Sequence, residues 1–165
     1  RIDAGKLDNI FRDFLAYKKK YRESKLKLVL VGSKYFNAMQ HPDFIYTGFV
    51  SDNEKTTIIQ HAKIVLNPSK YESLSLILLE TLSLGKVIMV NGKCNVMKEH
   101  EEKSGHAITL FYNSKDFIEQ LHALDFNDTL RKNMEGKGIS YVQQNYNWDL
   151  IMQRLIQQIE YICNK

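Results

Sequence analysis

Short runs of aliphatic and β-branched residues recur between stretches of helical periodicity, and this alternation is what most constrains the fold. "KLVLVG" (Leu26 to Val31, ended by Gly32), the run from Phe44 to Thr47, "KIVLNPS" (stopped near Pro68), "KVIMVN" (ended by Asn91-Gly92) and "HAITLF" each read as a strand. Runs this short and continuously apolar suit strands buried on both faces. Between them lie helical patterns. Leu7, Ile10, Phe11, Phe14 and Leu15 share one helix face, closed by Lys18, Lys19 and Lys20. Ser51 with Glu54 three residues on forms a capping box for a helix running to about His61. Residues 74–84 are helical and end at Gly85. Asn113 or Ser114 caps a helix carrying Phe117, Ile118, Leu121 and Leu124. Two more helices close the chain, the last with Trp148, Ile151, Met152, Leu155, Ile159 and Ile162 on one stripe. The expectation is an α/β fold, a parallel sheet covered by helices on both faces. Ligands of such sheets bind beyond the carboxyl ends of the strands. The loops after Val31, Thr47, Leu66 and Val90 are therefore the ones to watch.

At 165 residues, with 44% hydrophobic and 25% charged, the chain suits one domain with a sizeable core. A net charge of +4 fits an anionic ligand or a membrane surface and is too weak to imply nucleic acid. No run of eighteen apolar residues is present. Cys94 and Cys163, far apart and without metal-ligand spacing, fit free thiols in a reducing cytoplasm. His41, His61, His100, His106 and His122 show no ligand spacing and read as surface or packing residues, and "KEHEEK" at 98–103 as a solvated face. The chain opens on Arg1 and runs straight into a helical pattern. The expectation from that start is a piece of a longer protein.

The stretch "LNPSKYESLSLILLETLSLG", residues 66–85, places two carboxylates eight positions apart. At about 100° per residue, Glu80 is flanked by Leu76, Ile77 and Leu84, with Leu78, Leu79 and Leu82 covering most of the rest. A buried carboxylate without partners is costly. Glu80 therefore either finds donors or reaches solvent in a cleft. Glu72 lies in the strand-to-helix loop. The N–H groups around Ser73, Leu74 and Ser75 at the helix start lack helical acceptors and form an anion site. A carboxylate beside an anion site suits hydroxyl groups, and hydroxyls with phosphate together describe a nucleotide sugar. The plainer alternatives are an acidic residue favoured by the helix dipole at Glu72 and a snorkelling surface glutamate at Glu80. Spacing alone leaves both open.

"NPSKYESLSLILLETLSLGKVIMVN" resembles the signature of the GT-B glycosyltransferases of family four: a Pro-Ser, an E-x(7)-E pair, then a Gly and an apolar strand. Pro68, Ser69, Glu72, Glu80 and Gly85 match it. "RIDAGK", "KLVLVG", "GFVSDNEKTTIIQHAKIVL" and "YNWDLIMQRLIQQIEYI" resemble further segments of that family in order, so the similarity covers nearly the whole chain. The chain departs from the family in that "RIDAGK" lacks the usual Glu-Lys-Gly run, though it keeps the Arg-to-Lys spacing, and in having Ser73-Leu74 where Phe-Gly is usual. The resemblance implies a Rossmann-like parallel sheet flanked by helices, the C-terminal half of a GT-B fold, with residues 1–165 as the nucleotide-sugar donor-binding domain. It implies catalytic roles for Arg1 and Lys6, which would clamp the donor diphosphate, and for Glu72, which would hold the sugar hydroxyls. Glu80 would hold the ribose hydroxyls, and the backbone at Phe49 and Val50 would meet the base. Gly32 would let the ligand approach, and Ser73, Leu74 and Ser75 would complete the donor site. The family retains anomeric configuration without an obvious protein nucleophile. The chain also lacks an Asp-x-Asp motif. The implied enzyme is thus a retaining, metal-independent glycosyltransferase without a cofactor, the nucleotide diphosphate sugar being its substrate. Its partners would be its own N-terminal acceptor domain and a glycan or lipid-linked acceptor. Its place would be the cytoplasm, peripherally at the inner membrane face, in cell-surface polysaccharide synthesis. Alternatives are a non-catalytic nucleotide-sugar binding module and a doubly wound regulatory interaction domain.

Overall fold

The computed structural model describes residues 4–32 and 39–163. Arg1 lies outside them, as does the side chain of Lys6, whose backbone falls in the first turn of α1 (Ala4–Lys20). Strands β1 (Leu28–Val31) and β2 (Phe44–Gly48) follow, then α2 (Asp52–His61), β3 (Val65–Asn67) and α3 (Leu76–Ser83). The rest is β4 (Ile88–Asn91), α4 (Asn95–Lys103), β5 (Thr109–Phe111), α5 (Ser114–Phe126), α6 (Asp128–Asn145) and α7 (Trp148–Cys163). The expected capping box opens α2, with Ser51 and Glu54 bonded reciprocally. Gly85, at φ 64°, closes α3. Its N–H donates to the Leu82 carbonyl at 3.0 Å and that of Lys86 to the Thr81 carbonyl at 3.1 Å, the paired bonds of a Schellman end.

Every ladder is parallel, as expected of buried apolar runs joined by helices. Val87 and Met89 face one core, with Ile10, Phe11, Phe14 and Tyr17 of α1 and Phe117, Leu121 and Leu124 of α5. Ile88 and Val90 face a second core, with Leu78 and Leu82 of α3, Met97 of α4 and Tyr141 of α6. That alternation is the period of two of a strand covered on both sides.

Three details differ from the sequence expectation. The strands form two sheets, β1–β2 and β3–β4–β5, because β1 and β3 share no ladder; Val29, Val31 and Ile45 keep 41%, 46% and 43% exposure. The segment read as a solvated charged face, 98–103, lies within α4, which turns His100 and, three residues before it, Met97 inward. A three-residue step returns a side chain to the same helix face, so one face is buried while the charges point out. The stripe on α7 is not buried against the described residues: Leu155, Ile159 and Ile162 are exposed. No helix of the described residues is long and apolar enough to cross a membrane.

Candidate functional site

The loop between β3 and α3 is built around Asn67, which is buried at the carboxyl end of β3. Its Oδ1 accepts the Ser69 N–H at 3.0 Å, the tight turn an Asn before Pro-Ser favours. Its Nδ2 donates to Glu72 Oε1 at 3.1 Å and to Ser75 Oγ at 3.2 Å. From the next strand, Asn91 Nδ2 donates to the Pro68 carbonyl at 3.1 Å, joining the loops after β3 and β4. The carboxylate of Glu72 is thereby aimed with one oxygen occupied and the other without a partner among the described residues.

Ser75 ends the loop at φ 60° and ψ 74°, a left-handed conformation costing a non-glycine residue about 1–2 kcal/mol. The kink delays α3 to Leu76, two residues later than its apolar pattern suggests. Ser73, Leu74 and Ser75 consequently precede the helix. Their three N–H groups donate to no acceptor among the described residues. The loop borders an open cleft of about 590 Å³ whose lining includes Lys70, Glu72, Ser73, Lys93 and Asn95. Lys70 and Lys93 are exposed and form no ion pair among the described residues. Asn95 is the first residue of α4, whose N-terminal end therefore also meets the cleft. Ser73, two lysines and a helix end border the cleft with the Glu72 carboxylate, and the Leu74 and Ser75 amides follow on the same loop, a setting for a ligand carrying both anionic and hydroxyl groups.

Glu80 is not on that cleft. Its Oε1 takes the Lys55 ammonium at 2.9 Å, bracing α3 against α2, and this bond raises the Lys55 pKa. The donor expected for Glu80 is thus a lysine from another helix. The helix face it shares with Leu76 is open, Leu76 being 68% exposed, so α3 is not buried all round. Gly32 and the Phe49–Val50 pair come together at the ends of β1 and β2. The Gly32 N–H donates to the Gly48 carbonyl at 2.9 Å. Gly32 holds φ 120°, and a Cβ there would meet nothing within 4 Å, leaving the space a close ligand approach needs. Phe49 is 86% exposed beside half-buried Val50.

Sequence reading missed Asn67 as the organiser of the loop, although its Asn-Pro-Ser setting is a turn signal. It did not single out Lys70 or Lys93 at the cleft, and its reading of His100 as a surface or packing residue holds on the packing side. His100 is buried on α4, with Nε2 2.9 Å from the Leu74 carbonyl and Nδ1 2.8 Å from the Tyr141 hydroxyl. Burial, then the neighbouring Tyr146 hydroxyl, pushes the Tyr141 pKa far above its ordinary value. The described residues hold no cluster of His, Cys, Asp and Glu suited to a metal ion.

Residues 6–124 match the family model described as glycosyl transferases group 1. The crystal structure of Anabaena Alr3699/HepE in complex with UDP-glucose is similar to this chain with a TM-score of 0.66 at 15% identity. The match covers 82% of this chain and 41% of that one, so this chain spans less than half of that protein's length. No curated protein matches the chain.

Proposed function

The chain belongs to the glycosyl transferases group 1 family, and from that premise we propose that it is the donor-binding domain of a retaining, metal-independent glycosyltransferase. The observation that carries this reading is the pairing of the Glu72 carboxylate with the amides of Ser73, Leu74 and Ser75, which have no acceptor among the described residues, on one loop. In this reading the amides hold the donor diphosphate, and Lys70 and Lys93 add positive charge at the same cleft. Arg1 and Lys6 complete the clamp on the strength of the resemblance. Glu72 accepts hydrogen bonds from sugar hydroxyls and Glu80 from ribose hydroxyls. Phe49 and Val50 meet the base, and Gly32 lets the ligand close on the strand end.

The reaction breaks the bond between the anomeric carbon and the diphosphate oxygen. The bonding electrons leave with the diphosphate, so negative charge grows where the amides and cations stand. Charge-assisted hydrogen bonds of about 1.5–3 kcal/mol each supply that stabilisation without a metal ion. The acceptor hydroxyl forms the new bond and its proton passes to the departing diphosphate. No side chain is assigned as nucleophile.

The Anabaena protein's ligand makes UDP-sugars the first donors to try. A second domain would supply the acceptor, a glycan or a lipid-linked saccharide at the cytoplasmic membrane face, in polysaccharide synthesis.

Calorimetric titration of the full-length protein with UDP, GDP, ADP and UDP-glucose, with and without EDTA, tests the proposal. One nucleoside diphosphate should bind, its affinity unchanged by chelator and weakened by salt. Binding abolished by EDTA overturns metal independence; binding of none overturns the donor-site reading.

A further inference from the structure

We infer that His100 is a positioning residue for the donor diphosphate: by holding the Leu74 carbonyl it turns the Ser75 N–H away from α4. This rests on the donor-site reading above and adds a residue that touches no ligand. The Leu74 carbonyl can only accept, so the 2.9 Å contact assigns the proton to Nε2. Nδ1 then accepts from the Tyr141 hydroxyl at 2.8 Å, and α6 orients the ring on α4. His100 is 4% exposed and both ring nitrogens are occupied, so its direction is fixed.

The peptide group between Leu74 and Ser75 is planar and trans, so its carbonyl and N–H point opposite ways. Anchoring the carbonyl on His100 turns the Ser75 N–H away from α4, where no described protein atom accepts it. The anchored peptide leaves Ser75 at φ 60°. A half-turn of that peptide plane would relieve the left-handed conformation. It would also exchange N–H for carbonyl, placing an oxygen's lone pairs where the anion is proposed to bind. His100, seconded by the Asn67 bond to Ser75 Oγ, opposes that rotation. Strain held by surrounding bonds at a binding loop is preorganisation.

The test compares His100→Leu, His100→Gln and Tyr141→Phe in the full-length protein by UDP titration and thermal melting. Leucine keeps volume without a donor; glutamine keeps an N–H near the Nε2 position. His100→Leu should weaken UDP about tenfold or more, the worth of a lost hydrogen bond, while His100→Gln stays within about threefold. Tyr141→Phe, which leaves the ring in place without its orienting hydroxyl, should lose about threefold and remains informative if His100→Leu does not fold. All variants are measured well below their melting temperatures. UDP affinity unchanged in folded His100→Leu or in Tyr141→Phe overturns the inference, as does equal loss in His100→Leu and His100→Gln. An unaltered protein that binds no nucleoside diphosphate overturns the donor-site reading and this inference with it.

Discussion

Glu72 and Glu80 stand eight residues apart and have different neighbours. Asn67 holds Glu72 at the cleft, while Lys55 holds Glu80 on the open side of α3. Their replacement by glutamine separates the two proposed roles. In Glu72→Gln the new side chain keeps an oxygen for Asn67, so the loop should survive while the charge is lost. Glu72→Gln should spare free UDP and weaken the sugar-bearing donor about ten- to hundredfold, the range for a lost charged hydrogen bond. Glu80→Gln should weaken both ligands by a similar factor. Titration of both variants with UDP and UDP-glucose checks this; equal losses on both ligands for both variants would refute the division of labour. The chain's glutamate spacing was legible in the sequence. The partners were not, because Lys55 lies 25 positions from Glu80 and leaves no periodic trace beside it.

Helices α1 and α5 meet at a buried carboxylate whose importance no local pattern announces. Asp125, at the end of α5, accepts from the Tyr17 hydroxyl, the Ser24 hydroxyl and the Lys63 ammonium, each at 2.6 Å. Burial alone would raise its pKa; the donors from Lys63, Ser24 and Tyr17 outweigh burial and hold it below the ordinary carboxylate value. A carboxyl depressed in the folded state stabilises the fold above the unfolded pKa of about 3.9 and loses that contribution as pH falls through the folded value. Asp125→Asn should therefore destabilise the fold by about 3 kcal/mol at pH 7, as for a broken buried pair. Melting should drop by about 6–12 °C for a chain of this size. The gap between variant and parent should narrow below about pH 4. Thermal melts at pH 7, 5 and 3 measure it, and a gap constant down to pH 3 would contradict the assignment. The bond partners of Asp125 lie 62 to 108 residues away, which is why sequence reading of α5 stopped at its apolar stripe.

Across the whole molecule, both sheets share the core beneath α1 and α5, but the opposite face of β1–β2 stays open at Val29, Val31 and Ile45. A face left uncovered and a strand edge left unpaired by the described residues favour association. Residues 1–165 expressed alone should bind an apolar-surface dye and self-associate with rising concentration, and Val29→Ser with Val31→Ser should reduce both. Dye fluorescence and sedimentation read this; a dye-silent monomer would contradict it. The succession of elements was determined by the sequence, because strand runs, the Ser51–Glu54 box and the Gly85 stop are set by residues within a few positions of one another. The carboxylate pair and the loop between β3 and α3, proposed here to bind an anion, were legible for the same reason. The split into two sheets, the left-handed Ser75, the Asn67 clamp and the His100 strut were decided only by tertiary structure. The His100 strut joins Leu74, 26 residues before it, to Tyr141, 41 residues after it. Bonds at such separations come from packing one element on another, and nothing in the nearby sequence reports them.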